Sequence, residues 1–237
     1  MRPQPLLTGL AALTLAAACT RTAAPPSADH ASPSASAGYD APSLRELAVT
    51  DADLGPGWHV TVMQPGQGDI TSPPQTADAP ACQPVLDALA PAKGSAGPLA
   101  EADLDIARTA DDRASLYTAI LAFRPGRAAV VHTELDQVLI RCRVFTSGAG
   151  RHVITRLDTP TPEGADAATA FTLTNETGGA TLTQRALLTR TGDILTVFTT
   201  LDTTGHEPAA PDAEVIKRQL GKLQPPRGPG SGGGAGR

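Results

Sequence analysis

Apolar residues recur along positions 43–224 in two rhythms, and each change of rhythm marks a new element. Steps of three and four put Ala128, Val131, Leu135, Val138, Leu139 and Cys142 on one stripe, which predicts a main helix over about 127–142. A second stripe, Val215, Ile216, Leu220 and Leu223, predicts a C-terminal helix over about 211–223. Pro211 suits the start of that helix. Asp212 and Glu214 suit its positive end, and Lys217, Arg218 and Lys222 its negative end. A short helix follows Pro84 and carries Val85, Leu86 and Leu89.

The second rhythm is alternation. It marks strands over 59–62, 151–157, 168–175, 181–190 and 194–201. Thr191-Gly192-Asp193 joins the last two as a hairpin. Leu116–Phe123 is apolar on both faces, which places it in the middle of the sheet. Leu99–Arg108 alternates more weakly and reads as an edge strand, while the stretch around Ser147 reads as loop. Strands gathered into an antiparallel run, with one helix among them and one after, define an α+β fold. Residues 43–224 are long enough for a single core, and no repeat divides them.

Outside that span the pattern stops. Residues 1–18 hold one charge, Arg2, and the apolar run Leu6–Ala18. That run is shorter than the roughly 20 residues a spanning helix needs, but it has the parts of a secretory signal. Ala16-Ala17-Ala18-Cys19, with Leu15 before it, resembles the lipobox of bacterial lipoproteins. The resemblance implies that Cys19 is the acylated first residue of a mature protein held on the outer face of the cell membrane. Ordinary cleavage after Ala18, giving a secreted protein, is the alternative. Residues 19–42 are rich in Ala, Ser and Pro and read as the lipidated Cys19 with a disordered tether. Residues 225–237 read as a disordered tail.

The chain has three cysteines, Cys19, Cys82 and Cys142. An odd number in an exported protein needs an explanation. Acylating Cys19 leaves Cys82 and Cys142 to pair in an oxidising compartment. Such a bridge closes a loop of about 60 residues, for which the chain-entropy model gives about 4 kcal/mol. Two buried free thiols are the alternative. Neither has a Cys or His at metal-ligand spacing. The net charge is −5 and becomes −6 once Arg2 is removed with residues 1–18. An acidic chain without a basic stripe argues against nucleic acid. Lysine occurs only at 93, 217 and 222 among abundant Ala, Arg, Pro and Gly, the bias of a high-GC bacterial genome.

Lipobox, tether, Leu54-Gly55-Pro56-Gly57-Trp58, Cys82 before a short helix, an apolar strand, a helix ending at Cys142, a β-meander and a terminal helix follow in that order. This layout resembles the PknH-like extracellular sensor domain of actinobacterial receptor kinases and stand-alone lipoproteins. The resemblance implies an α+β sheet with helices and a groove proposed to bind a ligand. The family often has two disulfides, whereas this chain can form one. With no kinase domain in this sequence, no kinase output carries over, and no binding residue transfers.

Candidate chemistry is sparse. No Gly-x-Ser-x-Gly elbow occurs. A Ser147/His152/Asp158 set can be drawn, but it competes with ordinary loop polarity. His132 and Asp136, four apart on the main helix, read as a local pair on a solvated face rather than a metal site. Glu101, Asp103 and Asp105 share one strand face; they read as an acidic edge that discourages aggregation rather than a calcium site. Arg124, Arg127 and Arg141 either meet an anion or pair with acids such as Glu134. Trp58 reads as a core or rim anchor. Asn175-Glu176-Thr177 matches a glycosylation sequon, which carries little meaning in a bacterial lipoprotein. The expectation is therefore a non-enzymatic, membrane-anchored, sensor-like or ligand-binding lipoprotein with no cofactor and no metal, and with its ligand residues unknown. A module that binds an envelope protein partner, or a hydrolase, remains as an alternative.

Overall fold

The computed structural model describes residues 39–63, 75–90, 97–202 and 206–224. Eight antiparallel strands form one sheet between two helical layers. In chain order the elements are α1 (Ala41–Glu46), α2 (Asp51–Leu54), β1 (Trp58–Val62), a 3-10 turn (Pro80–Cys82) running into α3 (Gln83–Leu89), β2 (Ala100–Arg108) and β3 (Asp111–Ala122). Then come α4 (Arg127–Arg141), β4 (Val144–Ser147), β5 (Gly150–Leu157), β6 (Ala167–Thr177), β7 (Ala180–Thr191), β8 (Ile194–Asp202) and α5 (Ala213–Leu223). The strand order is β1-β2-β3-β8-β7-β6-β5-β4. Helix α4 therefore carries the chain from the middle of the sheet to its far edge, and the meander β4 to β8 returns to pair with β3.

The sheet separates two cores. On one face α3 and α4 bury Val85, Leu135 and Leu139 against Phe145, Phe171 and Val197. On the other, α1 and α5 bury Leu44, Val215 and Leu220 against Ile106, Ile120 and Phe198. Strand β3 meets both: Thr118 to Ala122 are all buried, as its doubly apolar sequence requires. Cys82 and Cys142 are joined, with Cα atoms 5.7 Å apart, so α3 is tied to the end of α4.

Three expectations need correction. Leu99–Arg108 is not an edge strand: β2 lies between β1 and β3, because the five residues of β1 pair with it along Val62–Leu104 to Trp58–Arg108. Alternation reports which face is buried and is silent on lateral order. The stretch around Ser147 is not loop but β4, paired with β5 from Val144–Val153 to Ser147–Gly150. Its one deep side chain, Phe145, gives too short a pattern to read. Gly150 is required there: its φ is 122°, and a Cβ would run into the Glu176 carbonyl oxygen. Finally, Tyr39–Pro42 belongs to the fold rather than to the tether. Asp40 caps α1 by accepting from Ser43 N–H at 2.8 Å, and Tyr39 packs against the α1/α5 core.

Each sheet edge carries an aspartate on an outward backbone N–H. Asp51 accepts from Val60 N–H at 2.7 Å on β1. Asp78 accepts from Thr146 N–H at 2.9 Å on β4, while its own N–H donates to the Thr146 carbonyl. The Val60 N–H holds the Asp51 carboxyl below its usual range, and the Thr146 hydroxyl and N–H do the same for Asp78. These contacts occupy groups that would otherwise offer a template for strand addition.

Candidate ligand-binding site

The sheet face under α5 is not filled to its margin. A cavity of about 360 Å³ opens between the N-terminal half of α5, strands β6 and β7, and two proline-bearing segments. One segment leaves β5 through Asp158, Pro160, Pro162 and Glu163; the other reaches α5 through Ala210 and Pro211. The floor is apolar, built from Leu157, Ala170, Leu187 and Ile216. Its size and lining are those of a small-molecule site, in which burial supplies affinity and a few polar groups set orientation.

Four charged side chains line it: Asp158 and Glu163 from the β5–β6 segment, Arg185 from β7 and Lys217 from α5. Arg185 leans on Glu207 at 3.3 Å, with its side chain 29% exposed. Among the described residues Asp158, Glu163 and Lys217 have no ion pair or hydrogen bond, so the cavity keeps opposite charges apart.

The frame around the cavity is tightly tied. Asp212 caps α5 by accepting from Glu214 and Val215 N–H, and its other oxygen accepts from Arg108 at 2.7 Å. Arg108 lies over the Trp58 ring, 4.2 Å from its centre. Trp58 itself is half-buried and packs against the α1/α5 core. Partial burial by itself would raise the Asp212 carboxyl. The Arg108 hydrogen bond, the two amides and the Arg108 charge outweigh it and hold the carboxyl below its usual value. Deeper in, the fully buried Gln219 accepts from Val49 N–H and donates to the Leu47 carbonyl, both at 2.9 Å. Lys222 pairs with Asp53 at 2.7 Å and fixes α2 to the same helix.

The other sequence candidates fall elsewhere. Ser147 and His152 do meet: Oγ and Nε2 are 2.7 Å apart across the β4–β5 pair. Asp158 does not join them. It is six residues beyond His152 along an extended strand, roughly 20 Å away at about 3.3 Å per residue, and it lines the cavity instead. The Ser147 hydroxyl also sits 2.6 Å from Gln75 Oε1 and accepts from Ala149 N–H. Donating to Gln75 leaves it an acceptor for Nε2–H, so His152 holds a proton where a general base needs a lone pair. Its Nδ1 is buried without a partner, and burial lowers the pKa of the ring. Phe145 stacks on it at 4.6 Å. This is a packed polar pair without the orienting acid of a triad.

His132 is not on a solvated face. It is buried against the sheet, with Nε2 3.3 Å from Thr169 Oγ1, because the α4 stripe that buries Leu135 and Leu139 carries His132 with it. Thr169 donates to Asp136, which also accepts from Arg156 at 2.6 Å. Desolvation lowers the His132 pKa against the opposing charge of Asp136. Glu134 points away and pairs with Arg127 at 3.6 Å. Asp103 accepts from the Tyr117 hydroxyl at 2.6 Å. Among the described residues no three His, Cys, Asp or Glu side chains are placed to hold a metal ion. Cys19, the signal segment 1–18 and the tail 225–237 lie outside the described residues, as does residues 19–38 of the tether.

Sequence reasoning missed the cavity itself. Lys217 reads as a helix-end charge and Arg185 as one polar position in a strand. The one available sign was proline: Pro160, Pro162 and Pro211 stiffen two segments that frame a space, but nothing in the chain says they face each other.

No protein-family model and no curated protein matches this chain. Two solved structures align with this chain. The extracellular domain of PknH from Mycobacterium tuberculosis aligns at a TM-score of 0.48 and 12% identity, covering 76% of this chain and 93% of that one. An uncharacterized protein from Mycobacterium smegmatis, the Rv0999 ortholog, aligns at 0.41 and 12%, covering 73% and 92%. At these values neither likeness assigns a ligand or a binding residue here.

Proposed function

We propose that this chain is an exported lipoprotein, anchored through acylated Cys19 at the extracytoplasmic face of the cell membrane, whose domain binds a small ligand without transforming it. The cavity under α5 carries the reading: an apolar floor and a few charged groups make a binding site. The Cys82–Cys142 bridge supports an oxidising compartment. The Ser147–His152 pair gives little support to a hydrolase, since the acid expected to complete it lies at the cavity. A protein-partner module finds less support. Among the described residues the exposed large hydrophobics are Val62, Leu99, Val130, Ile140 and Val144, which belong to β1, the approach to β2, α4 and β4, and exposed apolar residues on a surface are ordinary.

Native mass spectrometry of the purified full chain, incubated with a small-molecule extract of bacterial envelopes, tests the ligand. A saturable adduct that Ile216→Trp abolishes is expected. Adducts that persist unchanged in a folded Ile216→Trp variant, or no adduct at all, overturn it. Fractionation of cells expressing the Cys19→Ala chain tests the anchor, which fails if that variant stays wholly membrane-bound.

A further inference from the structure

The charges around the cavity narrow the class of ligand. Asp158 and Glu163 stand on the segment leaving β5, whereas Arg185 and Lys217 stand on β7 and α5. The acids therefore stand on one segment and the bases on two other elements, and all four line the same cavity as Leu157, Ala170, Leu187 and Ile216. Arg185 is partly neutralised by Glu207, itself 68% exposed, and among the described residues Lys217 has no ion pair. Neither acid is within ion-pair reach of either base.

A ligand with only an anionic group would meet Lys217 and Arg185 but bring a like charge near Asp158 and Glu163. A purely cationic ligand would have the converse problem. A neutral one would make no use of Asp158, Glu163 or Lys217, none of which has an ion pair among the described residues. The arrangement is complemented by a dipole: an amine directed to Asp158 and Glu163, an acid group directed to Lys217 and Arg185, and an apolar body on the floor. Charge complementarity of this kind selects among ligands and fixes their orientation, while the apolar floor supplies area. We infer that the cavity takes a small zwitterion with an apolar body, of the form that a short apolar peptide presents when both its termini are free. This rests on the ligand-binding reading above and specifies its chemistry.

The test is a set of four probes with one body: leucyl-leucine, its N-acetyl acid, its C-terminal amide, and the form blocked at both ends. Each is titrated calorimetrically into the purified full chain at neutral pH. The zwitterion is expected to bind at least about tenfold more tightly than either singly charged form, and the doubly blocked form most weakly. Lys217→Ala should lower affinity for the zwitterion and the N-acetyl acid and leave the amide unchanged. Asp158→Asn with Glu163→Gln should lower affinity for the zwitterion and the amide and leave the N-acetyl acid unchanged. All these substitutions are at exposed positions, so circular dichroism should match the parent. Equal or tighter binding of a singly charged or blocked form overturns the inference. So does failure of all four while envelope extract still gives the saturable adduct, and in that case ligand binding stands and the zwitterion alone fails. Failure of both the probes and the extract removes the two together.

Discussion

Replacing Gln219 with Leu tests how α5 is held over the cavity. The side chain is fully buried, and its amide makes two bonds to the link between α1 and α2. Leucine keeps nearly the same volume and removes both. Val49 is 1% exposed, so its N–H is left without a partner or water; that costs about 1–3 kcal/mol. Leu47 is only half-buried, and its lost bond costs about 0.5–1.5 kcal/mol. Together the loss is about 1.5–4.5 kcal/mol. For a domain of this size, a loss of about 3 kcal/mol lowers Tm by roughly 6–12 °C. Urea unfolding should show the midpoint falling with the slope unchanged, and hydrogen exchange should quicken first at the Val49 amide. Gln219→Glu gives a second measure. At neutral pH it buries a carboxylate, and its deficit should shrink as acid protonates that group. A Gln219→Leu loss below about 0.5 kcal/mol, with Val49 still protected, would refute the account.

Changing Cys82 and Cys142 together to Ala should cost about 4 kcal/mol for the opened loop, and adding reductant to the parent should reproduce most of that loss in urea unfolding. An unchanged midpoint contradicts it. Burial lowers the pKa of both His132 and His152 below the ordinary 6.5, so the unfolded chain binds protons more readily than the folded one. Their contribution is therefore present above about pH 6.5 and lost as the pH falls below it; the His132→Asn/His152→Asn chain should lack that decline, and an equal decline in both chains defeats the assignment. Ser147 should resist a fluorophosphonate probe, read by intact mass, because its hydroxyl is spent on Gln75 and no acid orients His152. Stoichiometric labelling would restore the hydrolase reading.

Periodicity was enough to identify the longer parts. The stripe from Ala128 to Leu139, the alternation of β5 to β8 and the doubly apolar core of β3 each follow from local burial, which one short window of residues reveals. An odd cysteine count supplied the Cys82–Cys142 pairing before any geometry. Lateral order was beyond that reasoning. Alternation along β2 is the same whether a strand covers its outer side or not, and four residues of β4 are too few to set a period. Polar residues inside the fold were equally hidden. Gln219 and His132 sit on buried helix faces because remote backbone and side-chain groups, at Val49, Leu47 and Thr169, wait for them there. The cavity needed most. Asp158, Arg185, Ile216 and Lys217 are spread over about 60 residues and three elements, and only packing α5 on the sheet brings them around one space. What the sequence by itself determined is the longer helices and strands and the bridge, because each depends on neighbours along the chain or on a count. What only the tertiary structure decided is the strand order, the buried polar contacts and the site, because each is a meeting of residues far apart in sequence, and no local pattern encodes such a meeting.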